Sequence, residues 1–203
     1  STRIIGTGSP FITPFISSTT SYYAAAVDVV PMDVIIGDGT NANTRTSYPA
    51  FYGARNESVK TQILFTAEDL YGAGVSPGPL DHLGIDVIDL AASGLHKEFT
   101  IKMAATTLAS LTTTFVTAGL VTVYGPVTYQ PWWGYNQHTF TTPFIWDGVS
   151  NLIIEICHSN DPLGTGGTQF TYNAITNRTQ TSYTSVVYRN SNNTNNCPAA
   201  TAS

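Results

Sequence analysis

Apolar and polar residues alternate with a period of two along most of this chain, and the period of an amphipathic helix is nearly absent. Phe99, Ile101 and Met103 fall on one side of such an alternation, Glu98, Thr100 and Lys102 on the other. Leu83, Ile85 and Val87 alternate in the same way. Ile88 and Leu90 then change phase, which predicts a β-bulge. Further strands are expected at 21–29 and 33–36 around Pro31, and at 60–65, 120–124, 137–141, 152–157, 169–174 and 183–188. The run Thr66-Ala67-Glu68-Asp69-Leu70 reads as a capped helical turn, ended by Gly72 and Gly74. Short strands separated by turn signals predict an all-β fold: a two-sheet antiparallel β-sandwich, jelly-roll-like, with one short helical turn.

Composition changes this picture mainly by excluding functions. The chain has 203 residues, 42% of them hydrophobic, enough for a sizeable core. Only 10% are charged, against about 25% in ordinary soluble proteins. Thr, Ser, Asn and Gly take their place, as in many secreted proteins. The net charge of -5 and the scattered basic residues argue against nucleic acid, which needs clustered Lys and Arg. The apolar run Leu152-Ile153-Ile154-Glu155-Ile156 is too short to span a membrane, so no membrane insertion is expected. No leader pattern follows Ser1, so the chain is expected to be processed or cut from a longer one. Residues 1–32 have their own Ser-, Thr- and Pro-rich texture and are expected to form a linker, an added strand or the end of a preceding domain. Residues 33–203 form the sandwich module.

Cys157 ends an apolar strand and Cys197 lies in a run of Asn and Ser that cannot bury itself. No metal-type spacing accompanies them, and a disulfide between the two is expected, with free thiols as the cytosolic alternative.

The order of motifs carries a resemblance. Val34-Ile35-Ile36-Gly37-Asp38-Gly39-Thr40 comes first, then Thr46-Ser47-Tyr48-Pro49-Ala50-Phe51-Tyr52-Gly53, then Gln62-Ile63-Leu64-Phe65. Phe99-Thr100-Ile101-Lys102-Met103 and Thr142-Pro143-Phe144-Ile145-Trp146-Asp147-Gly148 follow. Over residues 33 to 197 this resembles a module repeated in large type IX-secreted surface proteins of gliding and related Bacteroidota. The resemblance implies an extracellular, cell-surface adhesin or filament segment whose partners are neighbouring domains or subunits. It also implies an immunoglobulin-like neighbour ending in residues 9–27. Modules of that family carry a further Arg-Pro-Asn strand after the second cysteine, and this chain stops at Ser203 before one. The expectation is a fragment, or a sandwich completed by a strand from elsewhere, with an open sheet edge inviting strand addition.

Three kinds of chemistry merit weighing. Trp132, Trp133 and Tyr135 follow Pro131 and offer flat rings for a polysaccharide or glycan. If the two indoles sit in a strand they face opposite ways, leaving at most one in the core. Packing under a loop is the alternative. Tyr48, Tyr52 and Tyr129 are candidates to extend the platform, whereas Trp146 reads as core. Asp38, Asn41 and Asn43, joined by Asp147 or Asp161, are candidate ligands for a structural calcium, although the spacing matches no EF-hand and such segments are more often ordinary turns. No other cofactor is expected. Catalysis has no motif behind it, and His82, His96, His138 and His158 each read as isolated. The reading is a non-catalytic module acting in adhesion or assembly, with carbohydrate binding through exposed aromatics as the alternative.

Overall fold

The computed structural model describes residues 33–160, 172–192 and 194–203. The chain divides into two units, Ser1–Val34 and Ile35–Ser203, and the sandwich lies in the second. The expectations for 1–32 and for a strand at 21–29 fall outside the described residues.

Among the described residues nine strands and one helix follow in order: β1 (Asn41–Ala42), β2 (Ser58–Phe65), α1 (Ala67–Ala73), β3 (Gly78–Asp89), β4 (His96–Thr106), β5 (Val121–Tyr129), β6 (Gly134–Trp146), β7 (Asn151–Ser159), β8 (Ile175–Arg178) and β9 (Val186–Ser191). They make two antiparallel sheets, β1-β8-β3-β6 and β5-β4-β7-β2-β9. Strand β4 pairs with β5, β3 with β6, β2 with β7 and β1 with β8. That nesting is a long hairpin rolled into two sheets, the jelly-roll arrangement, with β9 added beside β2. Among the described residues no helix is long and apolar enough to cross a membrane.

Period-two alternation becomes packing directly. Phe99, Ile101, Met103, Ile85, Val87, Leu152, Ile154 and Ile156 meet between the sheets with Tyr52 and Trp146. The expected bulge appears as a register shift between Val87 and Asp89. Thr66 caps α1 in a box with Asp69, as read, but Gly72 continues the helix. Gly74, in the left-handed conformation, is its C-cap.

Two expected strands are not where the pattern placed them. Residues 33–36 form none, and Ile35 is 85% exposed, because the apolar run there has no partner strand to bury it. The strand expected at 169–174 lies at β8. Of that range, Tyr172, Asn173 and Ala174 are outside any strand, and the rest falls outside the described residues.

Strand β7 is central in its sheet and buried on both faces. On the outer face Ile153 joins Leu64, Ala104 and Leu111 in a second apolar cluster against Val116 and Leu120 of the β4–β5 connection. A C-terminal strap lies over the same sheet. Phe115 donates its N–H to the Ala200 carbonyl, Ala202 to Thr113 and Ser203 to Tyr188. The disulfide Cys157–Cys197 fastens the strap to β7, its Cα atoms 5.6 Å apart across 40 residues of sequence. Closing a loop of that length stabilises by about 4 kcal/mol. Reduction is therefore expected to lower stability by about that amount, read as the shift of a urea midpoint with and without dithiothreitol. Overlapping unfolding curves would contradict it.

Edges matter for the strand-addition idea. In the five-stranded sheet, edge strand β5 carries Pro126, which has no N–H to donate. On the other edge, the Tyr188 carbonyl of β9 already accepts from Ser203. In the four-stranded sheet β1 is two residues long and β6 carries Pro143. Each edge is blunted rather than offered.

Candidate functional site

The aromatic group at the β5–β6 connection exposes three large rings. Gly134 opens β6 with φ of 91°, a left-handed turn suited to glycine, so the two indoles precede the strand rather than lie in it. Both are therefore outside the core, within the expectation that at most one would lie there. Trp132 is 49% exposed, Trp133 72% and Tyr135 47%.

The connection is held from beneath by Asn136, a fully buried residue of β6. Its Oδ1 accepts from the Tyr129 hydroxyl at 2.9 Å and the Trp132 N–H at 3.0 Å. Its Nδ2 donates to the Trp132 carbonyl at 2.8 Å and the Gly134 carbonyl at 2.7 Å. All four hydrogen-bonding sites of the amide are used, so the loop backbone has one position. Trp132 donates from Nε1 to the Tyr135 carbonyl at 3.0 Å and packs on Tyr129. The platform is thus preorganised from below while its rings face water.

Tyr135 lies on the outer face of the four-stranded sheet, opposite Asp86 on β3. A Cβ on Gly84 would come within 2.2 Å of the Tyr135 ring. The ring occupies the space that any side chain at 84 would take. Gly84 and Asn136 were not singled out from sequence. A glycine inside an alternating strand was the available signal for the first; nothing local marks the second.

The wider tyrosine platform does not form. Tyr52 and Tyr129 are core residues that form a mutual cluster of rings with Phe99, and Tyr48 stacks on Tyr188. Tyr129 is turned inward as the last residue of β5, whereas Tyr48 and Tyr52 belong to the connection between β1 and β2. Trp146 is buried, as read, and donates from Nε1 to the Ser150 carbonyl.

The calcium candidates serve the backbone. Asp38 Oδ1 accepts from Thr40 N, Thr40 Oγ1 and Thr179 Oγ1, and these bonds hold its carboxyl below the ordinary range. Asn43 is buried, accepts from Thr176 and donates to the Ala174 carbonyl. Asn41 pairs with Arg178 in the β1–β8 ladder. Asp147 accepts from Val149 and Ser150 in the turn after β6. Asp161 lies outside the described residues. Among the described residues no group of three or more His, Cys, Asp or Glu side chains is placed to hold a metal.

The histidines are not isolated. His96 of β4, His138 of β6 and His158 of β7 all lie in the core. The rings of His96 and His158 are 4.5 Å apart, and His138 Nε2 is 2.7 Å from the Tyr52 hydroxyl. Sequence could not show this, since strands far apart in the chain supply the three. Burial drives the imidazoles towards neutrality, lowering His96 and His138 to about 4 and His158 well below the ordinary value. For His96 the backbone carbonyls of Gly94, Tyr52 and Tyr129 oppose the shift. With almost no exposed surface, these rings present no nitrogen to a substrate. Their consequence is for stability.

One further cluster lies on the outer face of the five-stranded sheet. Lys60 Nζ is 3.1 Å from Glu155 Oε2 and donates to the Cys197 and Ala199 carbonyls of the strap. Gln62 donates to Glu155, and Lys102 stands 3.4 Å from its other oxygen. A groove of about 360 Å³ opens beside them. The ionic groups pair with one another and with the strap, so they act as a fastening.

No protein family matches the chain, and neither a curated protein nor a solved structure resembles it closely enough to match.

Proposed function

We propose that the chain is a non-catalytic extracellular module of a cell-surface adhesin that holds a saccharide on Trp132, Trp133 and Tyr135. The observation that carries this reading is the exposure of Trp132 and Trp133 on a connection whose backbone Asn136 fixes with three hydrogen bonds, with Tyr135 exposed beside them at the start of β6. Exposed large rings cost solubility and call for a partner. Sugars meet them through C–H faces, and a rigid platform avoids the ordering cost of binding. The ordered motifs that resemble type IX-secreted surface modules, the low charge and the disulfide support an extracellular setting.

Trp133→Ala is the direct test. Burying one indole contributes on the order of 1.5–3 kcal/mol, so Kd is expected to rise about tenfold or more with the melting temperature unchanged. A glycan array read with both proteins checks it. Equal binding by the two, or binding by neither, would overturn the reading.

A second reading, assembly into a surface filament, has its own observation. Tyr71, Ile145 and Val149 form exposed apolar positions towards the other end of β6. Docking of neighbours through that end requires no open sheet edge. Sedimentation velocity over a hundredfold concentration range separates the readings: growth of larger species that Val149→Asp abolishes favours assembly.

A further inference from the structure

We infer that the ligand of this surface is an uncharged saccharide chain laid along β6, with Asp86 turning acidic glycans away; this rests on the saccharide reading above. On β6, Asn136, His138 and Phe140 point into the core, so Tyr135, Gln137 and Thr139 point out. On β3, Ile85 and Val87 point in, so Gly84 and Asp86 point out. The register sets Asp86 opposite Tyr135 and Gly84 opposite Gln137. The outer face beside the indoles thus carries an aromatic ring, a carboxylate and an amide as immediate neighbours.

Each has a role set by its chemistry. The Tyr135 ring takes the room left by Gly84 and extends the aromatic surface from the loop onto the sheet. A carboxylate only accepts hydrogen bonds, so Asp86 pairs with sugar hydroxyls, while the Gln137 amide both donates and accepts. Charge then decides the class. Neither β3 nor β6 contains a lysine or arginine, and β3 carries the acidic residues Asp81, Asp86 and Asp89. Elsewhere on this sheet Arg45 pairs with Asp89 at 2.7 Å, and Arg178 ends β8 on the far side of β3 from β6. An acidic polymer would meet like charge with no cation on these two strands to offset it.

The test is affinity electrophoresis at low salt with hydroxyethylcellulose and galactomannan as neutral probes, and polygalacturonate and alginate as acidic ones. The native chain is expected to be retarded by a neutral polymer and not by the uronates. Asp86→Lys is expected to bring uronate retardation at least fivefold closer to that of the neutral polymer. Gly84→Ala sits in ordinary strand backbone, and the atoms nearest its Cβ are the far end of the Tyr135 side chain. It is expected to displace the ring, weakening neutral binding threefold or more at unchanged melting temperature. Uronate binding equal to neutral binding in the native chain overturns the inference and leaves the saccharide reading standing. So does unaltered discrimination in Asp86→Lys, or unaltered affinity in Gly84→Ala. Retardation by none of the four polymers overturns both.

Discussion

Acidification from pH 7 to pH 4 is expected to strip the sandwich of much of its stability before most carboxylates titrate. The cause is the three imidazoles buried as neutral rings among Tyr52, Phe99 and Tyr129. An unfolded histidine titrates near 6.5, whereas His96 and His138 in the fold do so at about 4. Below pH 6.5 the unfolded chain therefore binds protons that the folded chain refuses. Stability is full above that value, falls as pH drops through the window, and levels off for these two below about 4. Each contributes a slope of about 1.4 kcal/mol per pH unit and a total of roughly 3 kcal/mol. His158, which repels His96 when both are charged, adds to the loss. The sum rivals the 5–15 kcal/mol that ordinarily separates folded from unfolded chains. Urea unfolding at pH 7, 6, 5 and 4 reads the slope directly. His96→Gln and His138→Gln are each expected to flatten it. An acid curve parallel to that of the native chain in both variants would sink the explanation.

The second large effect is expected at Glu155. Its carboxylate is almost wholly buried, receives Gln62 and faces Lys60 and Lys102. Truncation to alanine leaves the Lys60 ammonium, itself buried, with strap carbonyls and the Phe115 ring as its remaining partners. Breaking a buried pair in this way costs about 3–5 kcal/mol. In a Lys60→Met background the orphaned charge is gone, so the same truncation is expected to cost markedly less. A coupling energy of about 2 kcal/mol or more in the double-mutant cycle is the expected result. Strict additivity would show that the two side chains act separately. The pair matters for the fold because Lys60 also holds the strap, so the cycle reports on how the C-terminal segment is fastened.

Strand content was legible because burial on a pleated sheet is written locally. Phe99, Ile101 and Met103 must share a face whatever else happens, and Thr66 with Asp69 closes a capping box within four residues. The disulfide was legible for a related reason: a polar segment with one cysteine needs an anchor, and a second cysteine was at hand. Residues 33–36 misled because an apolar run becomes a strand only when another strand lies beside it. For the indoles alternation set only an upper bound of one in the core, and the Gly134 turn, which starts β6 after them, leaves both outside it.

The aromatic surface was half visible. Trp132, Trp133 and Tyr135 stand out in the sequence as a group, yet their exposure depends on the Gly134 turn and the amide of Asn136. Asp86 and Gly84 enter the site only through the β3–β6 register, about fifty residues away in the chain. The edges tell the same story in reverse. An open sheet edge was expected, but Pro126, Pro143 and the Ser203–Tyr188 bond blunt the edges among the described residues.

By itself the sequence determined an all-β sandwich, a disulfide, a lightly charged surface and a conspicuous aromatic triplet. These follow from periodicity, composition and short-range geometry, which the backbone imposes within a few residues. Only the tertiary structure decided which histidines meet, which carboxylate is buried against which lysine, and which residues stand beside Tyr135. In a rolled hairpin those neighbours come from opposite arms of the chain, and nothing local encodes the pairing.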